Sequence, residues 1–130
     1  MKNIQTKGRR KRAIARATLT EGKGRVTING RLLSHYSENV LMLRMSEPLL
    51  LAGDLAKSIN VAVNVNGGGV NGQADASRVA IARALVQYDE KLKKVFDDYD
   101  RLLLVADIRR KEVRKPNDSK ARAARQKSYR

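Results

Sequence analysis

The basic residues of this 130-residue chain are gathered at its two ends, so only the stretch between them is suited to building a hydrophobic core. Residues 1–30 hold nine Lys or Arg against one acid, Glu21, and residues 109–130 hold ten against Glu112 and Asp118. Residues 31–108 hold nine basic and ten acidic side chains and are close to neutral. The net charge of +15 therefore sits almost wholly in the end segments. Crowded like charges repel, and a dense counter-charge such as a phosphate backbone makes that arrangement favourable. After Arg110 the only bulky apolar residues are Val113 and Tyr129. Burial cannot offset the entropy of ordering such a segment, which predicts a stretch that is extended or disordered in isolation. The chain is thus expected to divide into a globular part, residues 1–108 with the basic N-terminal segment, and an extended basic C-terminal tail, residues 109–130.

A chain of this length forms one domain, and an apolar content of 42% predicts a folded centre. There is no cysteine, so disulfides, thiolate metal sites and cysteine nucleophiles are excluded. No run of 18 apolar residues exists to span a membrane. The opening Met1–Gly8 leads into charge rather than an apolar stretch, unlike a secretory signal. The expectation is a cytoplasmic protein without a membrane partner.

Periodicity organises the middle. Ala13, Ala15, Ala17 and Leu19 alternate with Ile14, Arg16 and Thr18, which reads as a half-buried strand with a cation on its more polar face. Glu21–Gly24 reads as a turn and Arg25–Ile28 as the returning strand of a hairpin. Residues 30–57 read as short helical turns, with Pro48 in the first turn of a brief helix and Ser46 as its cap, ending near Gly53. Ile59, Val61, Val63 and Val65 recur with period two and predict a central strand that stops at Asn66–Gly69. An alanine-rich helix is predicted over Gln73–Tyr88 and a shorter one around Leu92–Tyr99, while Leu102–Ala106 fits either a last strand or a helical piece. A sheet with helices on one side gives an α+β class, a two-layer α/β sandwich.

Gly67–Gly72 formally matches G-x-G-x-x-G between a strand and a helix. A dinucleotide fold would need a second parallel strand ending in an acid, whereas Asp89 and Glu90 fall in a helical or turn region. A phosphate-binding loop of the NTPase kind would need Lys and Ser or Thr where Gln73 and Ala74 stand. Two readings remain open: a tight strand-to-helix turn alone, or that turn with its exposed amides at Gly68, Gly69 and Gln73 also meeting an RNA phosphate.

Catalysis has no nominee. His35 is the single histidine and sits among Leu32, Leu33 and Tyr36, where a packing or surface role is expected. The carboxylates show no metal spacing, and Asp97-Asp98-Tyr99-Asp100 lacks the glycine and glutamate of a calcium loop. No cofactor, metal or small-molecule substrate is expected. The informative residues are cationic. Lys7, Arg9, Arg10, Lys11 and Arg12 precede the first predicted strand, and Arg16 carries the surface onto it. Arg109, Arg110, Lys111, Arg114, Lys115, Lys120, Arg122, Arg125, Lys127 and Arg130 form the second cluster. Arginine forks hold two phosphate oxygens or stack on unpaired bases, and lysines act as mobile point charges. Aromatic content of 4% argues against a base-stacking sheet like that of an RNA-recognition motif. Cations placed in extended segments rather than on one reading helix favour a large folded RNA over duplex DNA, with a DNA-compacting protein or a basic protein-partner module as alternatives.

Four stretches carry a resemblance. Gly67–Arg78, continuing through Ala80–Leu85, pairs a glycine-rich turn with glutamine, a small residue and an arginine-bearing helix. Gly8–Ala17, Ala106–Pro116 and Lys120–Arg130 add a basic first strand, an Asp-x-Arg region and a closing basic sequence. Together they resemble the family of the ninth protein of the small ribosomal subunit, in its archaeal and eukaryotic branch. Ile108 and Val113 stand where that family usually has proline, and Asn117–Ser119 replaces a glycine-rich spacer. The resemblance implies the fold of the second domain of ribosomal protein S5, with a left-handed β-α-β crossover. It implies a cytoplasmic protein of the small-subunit head, bound to small-subunit rRNA and neighbouring ribosomal proteins through the cations above, with Gly68, Gly69, Gln73 and Arg78 among the rRNA-binding residues. It further implies that Lys127 and Arg130 at the end of the tail contact the anticodon stem-loop of P-site tRNA.

Overall fold

A computed structural model describes residues 3–35, 39–116, 120–122 and 128. Strands β1 (Ile4–Arg10), β2 (Ala13–Glu21), β3 (Val26–Ile28), β4 (Arg31–Leu32) and β5 (Ile59–Asn66) form one sheet in the order β1-β2-β5-β3-β4. Helices α1 (Asn39–Ala52), α2 (Val70–Tyr88) and α3 (Leu92–Tyr99) complete the described elements, with 3-10 turns at Leu33–His35, Gly53–Ser58 and Arg101–Leu103. α2 packs on β1, β2 and β5, and α1 packs on α2, giving the expected sheet-and-helix sandwich.

Alternation built the sheet as expected. Ala13, Ala15, Ala17 and Leu19 of β2 and Ile59, Val61, Val63 and Val65 of β5 are buried on the face that α2 covers. Each fully buried Ile, Leu or Val contributes about 1.5–3 kcal/mol, and the β-branched run of β5 suits the centre of a sheet. α2 is rich in alanine for a geometric reason. Gly8 of β1 lies so close that an added Cβ would stand 2.1 Å from the Ala76 carbonyl oxygen and 2.6 Å from the Ala80 nitrogen. Thr6 Oγ1 donates to the Ala80 carbonyl at 2.7 Å, tying strand to helix along that contact.

Three expectations are corrected. The hairpin partner of β2 is β1, not β3: Ile4 faces Leu19 and Arg10 faces Ala13. The basic residues Lys7–Arg10 therefore lie inside the first strand rather than before it. β3 instead runs parallel to β5, with Val26 beside Val61, and the chain between them passes through α1. Burial explains the choice, because β2 places both neighbours, β1 and β5, against α2. Pro48 lies inside α1 rather than at its start. Its ring removes the hydrogen bond to the Arg44 carbonyl, an effect worth about 3 kcal/mol in an exposed helix. Here Pro48 is fully buried and Leu41 and Met45 continue the buried stripe, so burial carries the helix across it. Ser46 donates from Oγ to the Leu43 carbonyl at 2.9 Å instead of capping a helix start. Gly53 follows α1 at φ +63, as a helix-ending glycine does. Arg101–Leu103 settles as a 3-10 turn with Leu103 buried. Residues 106–115 carry neither helix nor strand.

Candidate nucleic-acid interface

The β1–β2 turn presents Arg9, Lys11 and Arg12, all exposed. Lys11 occupies the left-handed region at φ +52, where glycine or asparagine would be relaxed and an ordinary side chain costs about 1–2 kcal/mol. Arg10 turns the other way. Its Nη1 donates to the Arg109 carbonyl at 3.0 Å, and its guanidinium lies 3.7 Å from Asp107 and 3.8 Å from Asp75. Arg110 reciprocates, donating from Nη2 to the Lys11 carbonyl at 2.9 Å. The two basic clusters, separate in sequence, thus meet at one place.

Asp107 organises the junction. Its carboxylate accepts from Arg109 Nε at 3.0 Å and Nη2 at 2.6 Å, and from the Arg109 backbone N–H at 3.1 Å. The Arg109 guanidinium and N–H, with Arg10 adding positive charge, hold the Asp107 carboxyl well below the usual carboxylate range. The side chain of Arg109 remains 78% exposed while it makes this pair.

A cleft beside the junction is lined by Arg9, Arg10, Arg44, Arg78 and Arg109, with Asp75 and Asp107 among them. Arg44 pairs with Asp75 at 3.2 Å. Arg78 is turned inward, 2.6 Å from Glu47 of α1 and 3.0 Å from Asp100 after α3, with its side chain 13% exposed. Burial opposes its charge, and the hydrogen bonds to Asp100 and Glu47 more than offset that, so its pKa is raised. For Asp100 burial raises the pKa, but the Leu102 N–H and the Arg78 guanidinium outweigh it and the net shift is downward.

The glycine turn abuts the same place. Gly67 and Gly68 have φ +79 and +64, and side chains there would press on the Arg12 carbonyl at 2.5 Å and the Ala13 nitrogen at 3.1 Å. Gly69 is the extended N-cap of α2 and has open space around it. Gln73 Nε2 donates back to the Gly67 carbonyl at 3.1 Å and closes the turn. The positive end of the α2 dipole therefore lies beside the Arg10–Ala13 turn, adding to the local attraction for an anion.

Lys7 and Arg16 face one another on adjacent strands, away from the helices. Lys111, Arg114, Lys115 and Arg122 are exposed, with Lys115 3.5 Å and Arg122 3.1 Å from Glu112. Arg125, Lys127 and Arg130 lie outside the described residues. Among the described residues no three His, Cys, Asp or Glu side chains gather into a metal-binding group, and no helix is long and apolar enough to cross a membrane. Residue reading missed Arg44 and the clamp made by Arg83, which donates to the Leu104 carbonyl at 3.0 Å and to the Lys7 carbonyl at 2.7 Å. An arginine in an otherwise small-residue helix was the available signal for the clamp.

Comparison with known proteins identifies a family. The profile described as ribosomal protein S9/S16 matches residues 8–130. The "Small ribosomal subunit protein uS9" of Thermoplasma acidophilum is 54% identical over 127 residues, covering 96% of this chain and 98% of that one. Its namesakes in Thermoplasma volcanium and Methanococcus vannielii are 51% and 46% identical, each over the whole of both chains. The chain belongs to the ribosomal protein S9/S16 family and stands with these archaeal members of it.

Proposed function

We propose that this protein is a structural constituent of the small ribosomal subunit that holds the subunit's RNA at the junction of the β1–β2 turn and the base of the tail. The observation that carries the reading is the reciprocal pair of hydrogen bonds from Arg10 to the Arg109 carbonyl and from Arg110 to the Lys11 carbonyl. Those bonds gather two basic segments into one field, at a cost in charge repulsion that a polyanion would repay. A lysine kept at φ +52 and the N-terminus of α2 point to the same ligand chemistry. Arg9, Lys11, Arg12, Lys111 and Arg114 have no carboxylate partner among the described residues and are the phosphate contacts in this reading. Arg78 is the weakest member of the expected set, since two carboxylates already engage it.

The mechanism is electrostatic positioning, with no covalent step. The exposed cations neutralise phosphates and release counterions, fixing the protein's register on the folded RNA. The tail adds further cations, and Lys127 and Arg130 at its end meet the anticodon stem-loop of P-site tRNA. Neighbouring head proteins complete the surroundings of the near-neutral middle.

The test compares the full chain with one lacking residues 120–130 in binding small-subunit RNA across a salt series. The deleted segment carries Lys120, Arg122, Arg125, Lys127 and Arg130. At about 0.7–0.9 of slope per phosphate, losing the three of these cations that are not assigned to tRNA should reduce the slope by about 2–3. The melting temperature should hold, because little apolar surface leaves with it. An unchanged slope refutes the tail as a phosphate binder. In reconstituted subunits Arg130→Ala should weaken P-site tRNA retention while assembly proceeds, and normal retention removes the proposed tRNA contact.

A further inference from the structure

We infer that the uncovered face of the sheet is a second RNA contact, one that seats the minor-groove side of a double-helical segment with a phosphate between Lys7 and Arg16. The inference rests on the RNA-binding reading above and names the class of RNA at a surface that adjoins the turn-and-tail junction at Arg9 and extends away from it along the sheet. Strand register places Lys7 opposite Arg16, and Arg16 opposite Asn64, in one row across β1, β2 and β5. The next row sets Arg9 opposite Ile14 and Ile14 opposite Asn66. Since Ala15, Ala17, Val63 and Val65 are buried on the α2 side, both rows point the other way, where no described helix packs.

Like charges directly opposite on neighbouring strands destabilise a sheet. Strands about 4.8 Å apart bring the Lys7 and Arg16 stems close enough for one anionic oxygen cluster to serve both. A carboxylate on the same face would relieve the repulsion internally. None of the outward residues of β1, β2 and β5 is Asp or Glu; the one acid of these strands, Glu21, falls opposite buried Ile59, on the helix side. Among the described residues the cation pair is therefore unrelieved, at the β1 edge of an exposed sheet face, with Asn64 beside it.

The chemistry around the pair selects the form of RNA. The outward positions of these three strands carry no Phe, Tyr, Trp or His, so nothing there offers a stacking platform for splayed bases. A single-stranded ligand would leave its bases without partners. The A-form minor groove is wide and shallow and displays 2′-hydroxyls between two phosphate rows. Asparagine and threonine side chains match those hydroxyls, and the cation pair matches a phosphate. Recognition of this kind reads shape rather than sequence.

The chain has no cysteine, so single cysteines can carry a tethered hydroxyl-radical source. Asn64→Cys and, separately, Lys111→Cys would be placed in reconstituted small subunits. The expected result from position 64 is cleavage of both strands of one rRNA helix, offset across its minor groove. Cleavage from position 64 confined to a single-stranded loop overturns the duplex assignment. Cleavage from position 111 with none from 64, as when another protein covers the sheet, overturns this inference and leaves the junction reading standing. Silence from both overturns both. Independently, the doubly substituted Lys7→Gln, Arg16→Gln chain should lower the salt slope for a generic RNA duplex by about 0.9, the share of the one phosphate they hold. An unchanged slope in a chain of unaltered melting temperature also refutes the contact.

Discussion

Arg10, in the first strand, donates from Nη1 to the main-chain carbonyl of Arg109 at 3.0 Å, so the base of the tail is held by the globular part rather than merely following it. The same guanidinium lies 3.7 Å from Asp107, which fixes Arg109 in turn. Arg10→Gln should therefore release residues 107–111. A charge-assisted hydrogen bond is worth about 1.5–3 kcal/mol, and solvent at this edge discounts it to about 1 kcal/mol of global stability. The larger effect should be local, with tryptic cleavage after Arg109 and Arg110 becoming several-fold faster. Equal cleavage rates in the two chains would show that the tie does not form.

The junction also has a pH signature. The Asp107 carboxyl is depressed in the folded state, so its contribution is complete above the unfolded-state value of about 3.9 and fades as pH falls below it toward the folded value. Carbon-detected NMR of the Asp107 carboxyl should give a midpoint clearly below about 3.9, moving up toward it in Arg109→Ala as the largest source of the shift is removed while the residue-109 backbone N–H and Arg10 still hold it down. An ordinary midpoint in the parent chain would contradict the paired geometry.

Gly8 and α2 make a second measurable contact. A Cβ at position 8 would overlap the Ala76 carbonyl and the Ala80 nitrogen, both backbone atoms that cannot swing aside. Gly8→Ala should destabilise the fold by about 3 kcal/mol, the upper range for overpacking, with the helix displaced from β1. Chemical denaturation would read this as a lower midpoint. A change under 1 kcal/mol would mean the strand and helix are not so closely set.

These contacts explain what could be read in advance. β5 and the buried face of β2 were legible because period-two alternation of Val, Ile and Ala reports burial directly. The α2 and α3 helices were legible from composition and spacing, although α2 starts at Val70 rather than Gln73 because Gly69 already serves as its cap. β1 was not legible, since its outward side is Gln5, Lys7 and Arg9 and its inward side includes a glycine and an arginine. Such a strand shows no apolar alternation. With β1 unseen, β2 was joined to β3 by proximity in sequence. Asn29-Gly30, both at positive φ, is the two-residue turn that joins β3 to β4, a hairpin signal that the reading of residues 30–57 as helical turns passed over. In α1, Pro48 drew the helix start toward itself because local propensity cannot weigh the burial of Leu41 and Met45. The cationic clusters were legible as charge, while their convergence depends on backbone carbonyls, which leave no trace in residue type.

The glycine turn separates two requirements that adjacent glycines share in sequence. Gly68 combines φ +64 with an Ala13 nitrogen 3.1 Å from where a Cβ would stand, whereas Gly69 has neither constraint. Gly68→Val should cost at least about 2 kcal/mol, since a β-branched residue is a poor occupant of the left-handed region. Gly69→Ala should fall within about 0.5 kcal/mol of the parent, the entropy gain from losing a glycine offsetting a slightly poorer cap. Thermal melts of the pair decide the matter, and equal losses at both positions would overturn the account of the turn.

Arg78 discriminates a structural tie from a phosphate contact. It joins Glu47 on α1 to Asp100 after α3, and neither carboxylate is more than 36% exposed. Arg78→Gln would leave two partly buried carboxylates near one another without a cation. The loss of two charge-assisted hydrogen bonds, discounted for the exposed third of each partner, should cost about 1–2 kcal/mol. With the guanidinium gone the Asp100 carboxyl should titrate at higher pH, because burial then acts with less opposition. The salt slope for RNA binding should match that of the parent, since a cation already neutralised within the protein displaces few counterions. A slope reduced by about 0.9 at unchanged stability would instead place Arg78 on the RNA.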